Sequence, residues 1–178
     1  MARGINVAPT AAGAILLGPM LYGLASAALP VAAADAPRYM FPRCYISGEP
    51  VQERPVKVYY GCDGTGIMQN MTWTAWGAAG ADGTGTDNTT DCQPNCAAGK
   101  RYTNPIVVHA WNPRSPVEPG CPDEVQFYAD FIIAYPKGTP PEMALLTSSS
   151  DRETTKYEGM PAIHYFGQKP YGCKPLGT

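Results

Sequence analysis

The sequence is short of histidine, of clustered charge and of long apolar runs, and each shortage removes a class of protein. His109 and His164 are the only imidazoles in 178 residues, so a mechanism needing several of them has nothing to work with. No G-x-S-x-G elbow is present, and the polar run Ser148-Ser149-Ser150 lies in a connector, where a solvated loop is expected. A spatial Ser-His-Asp arrangement would still have to draw on one of those two histidines. Lys and Arg form no block, and that argues against nucleic acid and anionic membrane, which are held by clustered cations. After residue 34 no apolar stretch has the length needed to cross a bilayer. No amphipathic helical period appears either, so a helical bundle is excluded.

What is present begins with a leader. Met1 to Asn6 carries one basic side chain, Arg3, and is followed by the apolar run "VAPTAAGAILLGPMLYGLASAALP". Ala32-Ala33-Ala34 before Asp35 supplies the small side chains a signal peptidase admits. The reading is a signal peptide over 1–34, its apolar segment helical, and a single secreted β domain over 35–178. An uncleaved membrane anchor is the rival, and Gly13, Gly18, Pro19 and Gly23 make the run a poor spanning helix. Without Arg3 the mature chain has 12 basic and 15 acidic side chains, a formal charge of −3.

Export decides how the cysteines are read. All six, Cys44, Cys62, Cys92, Cys96, Cys121 and Cys173, lie in the mature part, and an even number in an exported chain implies disulfides. The close pair in "DCQPNCAAGK" lacks a second C-x₂₋₄-C or H-x₃₋₅-H to complete a zinc site. It is also C-x-x-x-C, not the C-x-x-C of a redox motif. The expectation is that Cys62 bonds to Cys92 or Cys96, closing a loop around the glycine-rich segment; a Cys92–Cys96 bridge is the alternative.

Alternation of apolar and polar residues places strands at "PVKVYYGC" (55–62), "MQNMTWTAW" (68–76), "NPIVVHAW" (104–111), "DEVQFYADFIIAY" (123–135) and "GMPAIHYFG" (159–167). In the fourth, Val125, Phe127, Ala129, Phe131, Ile133 and Tyr135 share the core face, with Gln126, Tyr128 and Asp130 opposite. Residues 37–55 are expected to be an irregular arm, and 77–85, with its glycines among small residues, to hold no packed element. The segment 137–154 is taken as a connector in which Met143 to Leu146 could add one helical turn. Many short strands separated by Gly and Pro, 19 of each, point to a mostly β fold: an antiparallel β-sandwich or small barrel stapled by disulfides.

Few side chains invite chemistry. Asp82, Asp87, Asn88 and Asp91 offer oxygens, but not at alternate positions with a distal glutamate, so no calcium loop is expected. Asp130 falls on the polar face of its strand and is read as solvated. Aromatic rings are the more promising feature. Trp73 and Trp76, three apart, face opposite sides of a regular strand. Trp76 then emerges near the strand end and Trp111 shares a face with His109. These two tryptophans are the candidate binding residues, able to stack on sugar rings or on a partner's apolar surface.

The middle of the chain carries a further signal. Cys62-Asp63-Gly64, "TWTAWG" (72–77), "TGTD" (84–87), "DCQPNCAAG" (91–99) and "NPIVV" (104–108) follow one another in order. The series resembles a group of small exported actinobacterial proteins built on W-x-x-W-G, G-T-G-T and D-C-x-P-x-C-A-x-G. The resemblance covers Cys62 to Tyr135 and implies export and a shared domain; it assigns no catalytic or binding residue. Cys44, Cys121 and Cys173 lie outside it. The expectation is a secreted, non-catalytic binding or structural protein of the cell envelope. It has no catalytic residue, metal or cofactor, and its partner is cell-wall polysaccharide or another envelope protein. The alternative is a small extracellular hydrolase acting on envelope polymers.

Overall fold

The computed structural model describes residues 36–42, 52–61, 63–116, 121–141, 143, 149–168 and 173. They belong to one compact unit, Asp35–Thr178. The expected signal helix, Cys44, Cys62 and residues 144–146 of the expected helical turn lie outside the described residues. No helix among the described residues is long and apolar enough to cross a membrane.

Eight strands occur among the described residues: β1 (Arg38–Met40), β2 (Val58–Tyr59), β3 (Gly66–Gly77), β4 (Gly80–Thr90), β5 (Arg101–Arg114), β6 (Val125–Ala134), β7 (Arg152–Tyr157) and β8 (Met160–Tyr165). All join one hydrogen-bonded sheet in the order β2-β3-β4-β5-β6-β8-β7, with β1 added beside β6. Every pairing is antiparallel except β1 with β6, which is parallel. The terminal strands of that order, β2 and β7, do not pair, so the sheet is not closed.

The sheet is nonetheless rolled. Tyr60, just past β2, meets Tyr165 of β8 edge to face at 5.6 Å, although five steps of the strand order separate β2 from β8. Phe41, just past β1, lies between Trp73 of β3 (5.7 Å) and Phe131 of β6 (4.9 Å). Strand twist and bulges give a sheet this curvature. β3 has register shifts at Gln69/Thr72 and at Trp73/Ala75, the first containing Asn70 at φ 54°. These shifts reset the alternation, so Met68 and Met71, three apart, are both buried in the same cluster. They also bring Trp73 and Trp76 together at 4.8 Å, correcting the expectation that the two rings face opposite sides.

The glycine-rich segment is the main correction to the sequence reading. Residues 80–90 are not an unpacked loop but strand β4, hydrogen-bonded on both sides to β3 and β5. Its glycines make room for bulk on the neighbouring strand. A Cβ on Gly83 would stand 2.7 Å from Trp73 Cε3 and 2.9 Å from Thr72 O. One on Gly85 would overlap Met71 Sδ and lie 2.9 Å from Gln69 O. Large side chains of β3 thus lie over a strand that has almost none.

Three further corrections follow the same logic. The irregular arm contributes β1, and the 137–154 connector contains the start of β7, a polar edge strand paired only with β8. In β6 the expected face is interrupted: Tyr128 is fully buried, and Phe127 and Val125 pack with Met40 in a second, smaller cluster. The partner strand has Asn112 at φ 56°, between the pairs Trp111↔Asp130 and Pro113↔Tyr128. A left-handed residue inside a strand re-aims the side chains around it. Tyr128 Oη then donates to Gly77 O at 2.9 Å, and burial holds its hydroxyl proton up to about 12.

Two bridges are present among the described residues, Cys92–Cys96 and Cys121–Cys173. The expected bond from Cys62 to Cys92 or Cys96 is therefore corrected, since these two are bonded to each other. The reason is the turn that joins β4 to β5. Asp91 Oδ1 accepts from Gln93 N (3.1 Å) and Lys100 N (2.9 Å), folding the segment back so that the Cα atoms of Cys92 and Cys96 are 3.7 Å apart. Disulfides of this kind belong to an oxidising compartment.

Candidate functional site

Where the two ends of the rolled sheet face each other, a cleft of about 390 Å³ opens. One wall is the β2–β3 turn with Tyr60, Asp63 and Thr65; the other is Arg152 of β7 with Ile163 and Tyr165 of β8. The end of β4 and the Cys92 turn close one side, and Tyr135 and Gln168 complete the lining. Backbone geometry at sheet ends, not any contiguous motif, assembles it.

Behind this cleft stands Asp87, the one buried charged residue among the described core, at 0 % exposure. Tyr60 Oη donates to its Oδ1 at 2.7 Å, while Tyr135 Oη (2.9 Å) and Thr89 Oγ1 (2.7 Å) donate to Oδ2. Burial raises the Asp87 carboxyl above its ordinary range, and the three hydroxyl donors work in the opposite direction. Burial, followed by the Asp87 charge, pushes both Tyr60 and Tyr165 well above ordinary tyrosine. Asp87 therefore links β4 to the ends of β2 and β6, and its oxygens already have donors.

The rim carboxylates are committed in the same way. Asp63 Oδ1 accepts from Thr65 Oγ1 (2.5 Å) and Thr65 N (3.0 Å), and these bonds lower its pKa. Asp91 caps the disulfide turn, its pKa lowered first by the Gln93 amide. Asp151 accepts from Ser149 Oγ at 2.5 Å, which engages that hydroxyl within its own turn. A general acid at neutral pH needs a raised pKa, whereas Asp63 and Asp91 are shifted the other way.

The histidines sit on the opposite face. Across it runs a row of register partners, Asp82↔His109↔Ile132↔His164↔Glu153, drawn from five strands. Asp82 Oδ1 meets His109 Nδ1 at 2.6 Å, and Glu153 Oε1 meets His164 Nδ1 at 3.4 Å. Trp111 stacks on both His109 and His164 at 5.1 Å, while Tyr157 stacks on His109 at 5.7 Å and Phe166 meets His164 edge-on at 5.3 Å.

The two candidate tryptophans are thus separated. Trp76 packs against the core between Trp73 and Tyr128, with its Nε1 donating to Tyr39 O at 2.9 Å; Trp111 belongs to the outer stack. The oxygens considered for calcium are scattered: Asp82 on the outer face, Asp87 inside, Asn88 accepting from Arg101 Nη1 and Asp91 in the turn. Asp130 is tied to Asn112 Nδ2 and Gly167 N. The cleft itself escaped sequence reasoning, because its walls come from turns up to about a hundred residues apart. The faint signal was Asp87, a charge between neutral small residues. No family model, curated protein or solved structure matches the chain.

Proposed function

We propose that this is an exported, non-catalytic binding protein of the cell envelope or surrounding medium, and that the seam cleft takes a polyhydroxylated ligand such as a stretch of cell-wall polysaccharide. We read the rolled sheet as a small barrel opened along one seam, with the ligand lying in the opening. The carrying observation is that every described carboxylate in or behind the cleft is occupied in holding its own wall. Both histidines lie on the other face, so the hydrolase alternative has no free acid–base pair in the cleft. Tyrosine rings, hydroxyls and amides on a concave surface are what a sugar ring needs for stacking and hydrogen bonding.

The test is retention of the secreted protein on insoluble cell-wall polysaccharide, competed by soluble fragments of it. Gln93→Ala with Gln168→Ala, which leaves the core alone, is expected to weaken retention. Release of reducing ends, or covalent labelling by a glycosidase or serine-hydrolase probe, would replace this reading with the enzymatic one. Of the two tryptophans, Trp111 is proposed to keep a contact role, because Trp76 is already engaged by the core. Trp111→Ala is the corresponding variant.

A further inference from the structure

Among the described residues, Arg152 is the only cationic side chain lining the cleft. Its Nε is buried and has no hydrogen-bond partner. No carboxylate lies within ion-pair distance of it among the described residues. The Tyr165 hydroxyl lies beside its guanidinium. A guanidinium N–H removed from water and left unpaired bears the full desolvation cost of a charged donor, so native structures give such atoms an acceptor. The surrounding groups do not supply one. The hydroxyls of Tyr60, Tyr135 and Thr89 are turned to Asp87, and Asp63, Asp91 and Asp151 accept from their own turns.

We propose that Arg152 anchors an acidic saccharide: the cleft takes a polymer containing uronic acid, whose carboxylate accepts from the Arg152 guanidinium. This rests on the cleft being a saccharide site and adds the charge of the ligand. A guanidinium presents parallel N–H donors that match the two oxygens of a carboxylate, which a neutral sugar cannot offer. Asp63, Asp91 and Asp151 do not cancel this attraction. Asp63 and Asp151 are exposed and Asp91 is half-exposed, so water and salt screen their fields, whereas the Arg152 Nε is sheltered.

The experiment is calorimetric titration of the secreted protein with tri-galacturonate, with its neutral methyl ester and with tri-alanine. The acid should bind at least about tenfold more tightly than the ester, the value of one charge-assisted hydrogen bond. Arg152→Gln should level acid and ester. Arg152→Lys, which keeps the charge without the fork, should retain part of the preference. Tyr165→Phe, which removes only the hydroxyl beside Arg152, should reduce the preference while leaving the fold unchanged by circular dichroism. Equal affinity for acid and ester, or a preference that survives Arg152→Gln, overturns the anchor while saccharide binding stands. Tri-alanine binding as tightly as tri-galacturonate overturns it in favour of a peptide carboxylate. Absence of binding to either saccharide overturns both the anchor and the saccharide reading.

Discussion

Asp87 shows how one buried charge organises a site. Three hydroxyl donors meet its carboxylate in a position with no solvent exposure, and two of them come from strands that are not its neighbours. Asp87→Asn keeps the shape but turns an amide donor toward hydroxyls that need an acceptor. Urea denaturation should show a loss of about 3 kcal/mol, in the range of an unsatisfied buried polar network. The pH dependence separates the aspartates. Because the folded-state pKa of Asp87 is raised, the native protein binds its proton more readily, and this group adds stability as pH falls. Asp63 and Asp91 are lowered, so their contribution is present above their ordinary value of 3.8 and is lost as pH falls through their folded values. Thermal melts from pH 6 to pH 2 should therefore fall less steeply for a protein with Asp63→Asn and Asp91→Asn than for wild type.

At the scale of the element, β4 inverts the usual relation between side chains and strands. Its place in the sheet is set by what β3 lays across it, which is why Gly83→Ala and Gly85→Ala should each destabilise by about 1–3 kcal/mol, the ordinary cost of overfilling a packed core. In the same denaturation assay, Met71→Ala should recover part of the Gly85→Ala loss, while the contact with Gln69 O keeps the rest. The same strand explains what was legible in the sequence. β5, β6 and β8 announce themselves by branched and aromatic residues in alternation. β4 has no side-chain period to read, because its signal lies in the bulk of Met71 and Trp73 on another strand. β7, "RETTKY", is polar on both faces as an edge strand can be, and so looked like a connector. The bulges of β3 shift phase without any residue type that declares it. Cys92 and Cys96 were legible as a staple, but the local bridge was ranked second because the Asp91 cap that folds the turn is a hydrogen-bond pattern, not a spacing.

The whole molecule is held along its seam by side chains and at its margins by disulfides. Cys121–Cys173 spans 52 residues and Cys92–Cys96 spans 4. In the chain-entropy model, Cys121→Ala with Cys173→Ala should cost about 4 kcal/mol, and Cys92→Ala with Cys96→Ala about 2 kcal/mol, compared by denaturant midpoint. Alkaline unfolding is expected too. Tyr128 keeps its proton to about 12 when folded, against 10.0 otherwise, and Tyr60 and Tyr165 are raised as well. The stability these tyrosines hold is complete below pH 10 and is lost above it, so ultraviolet titration should show them ionising together with unfolding.

The two register shifts of β3 also bear on how copies of the chain behave toward one another. β2 pairs with only two of the twelve residues of β3, so among the described residues most of a long strand lies at the margin of the sheet, the usual starting point for uncontrolled strand-to-strand association. An interrupted margin is a poor template. Where the phase slips, at Gln69/Thr72 and again at Trp73/Ala75, a second chain cannot follow with an unbroken hydrogen-bond ladder. The irregularities that turn two methionines and two tryptophans inward should thus also disfavour polymerisation, which light scattering of concentrated protein would check.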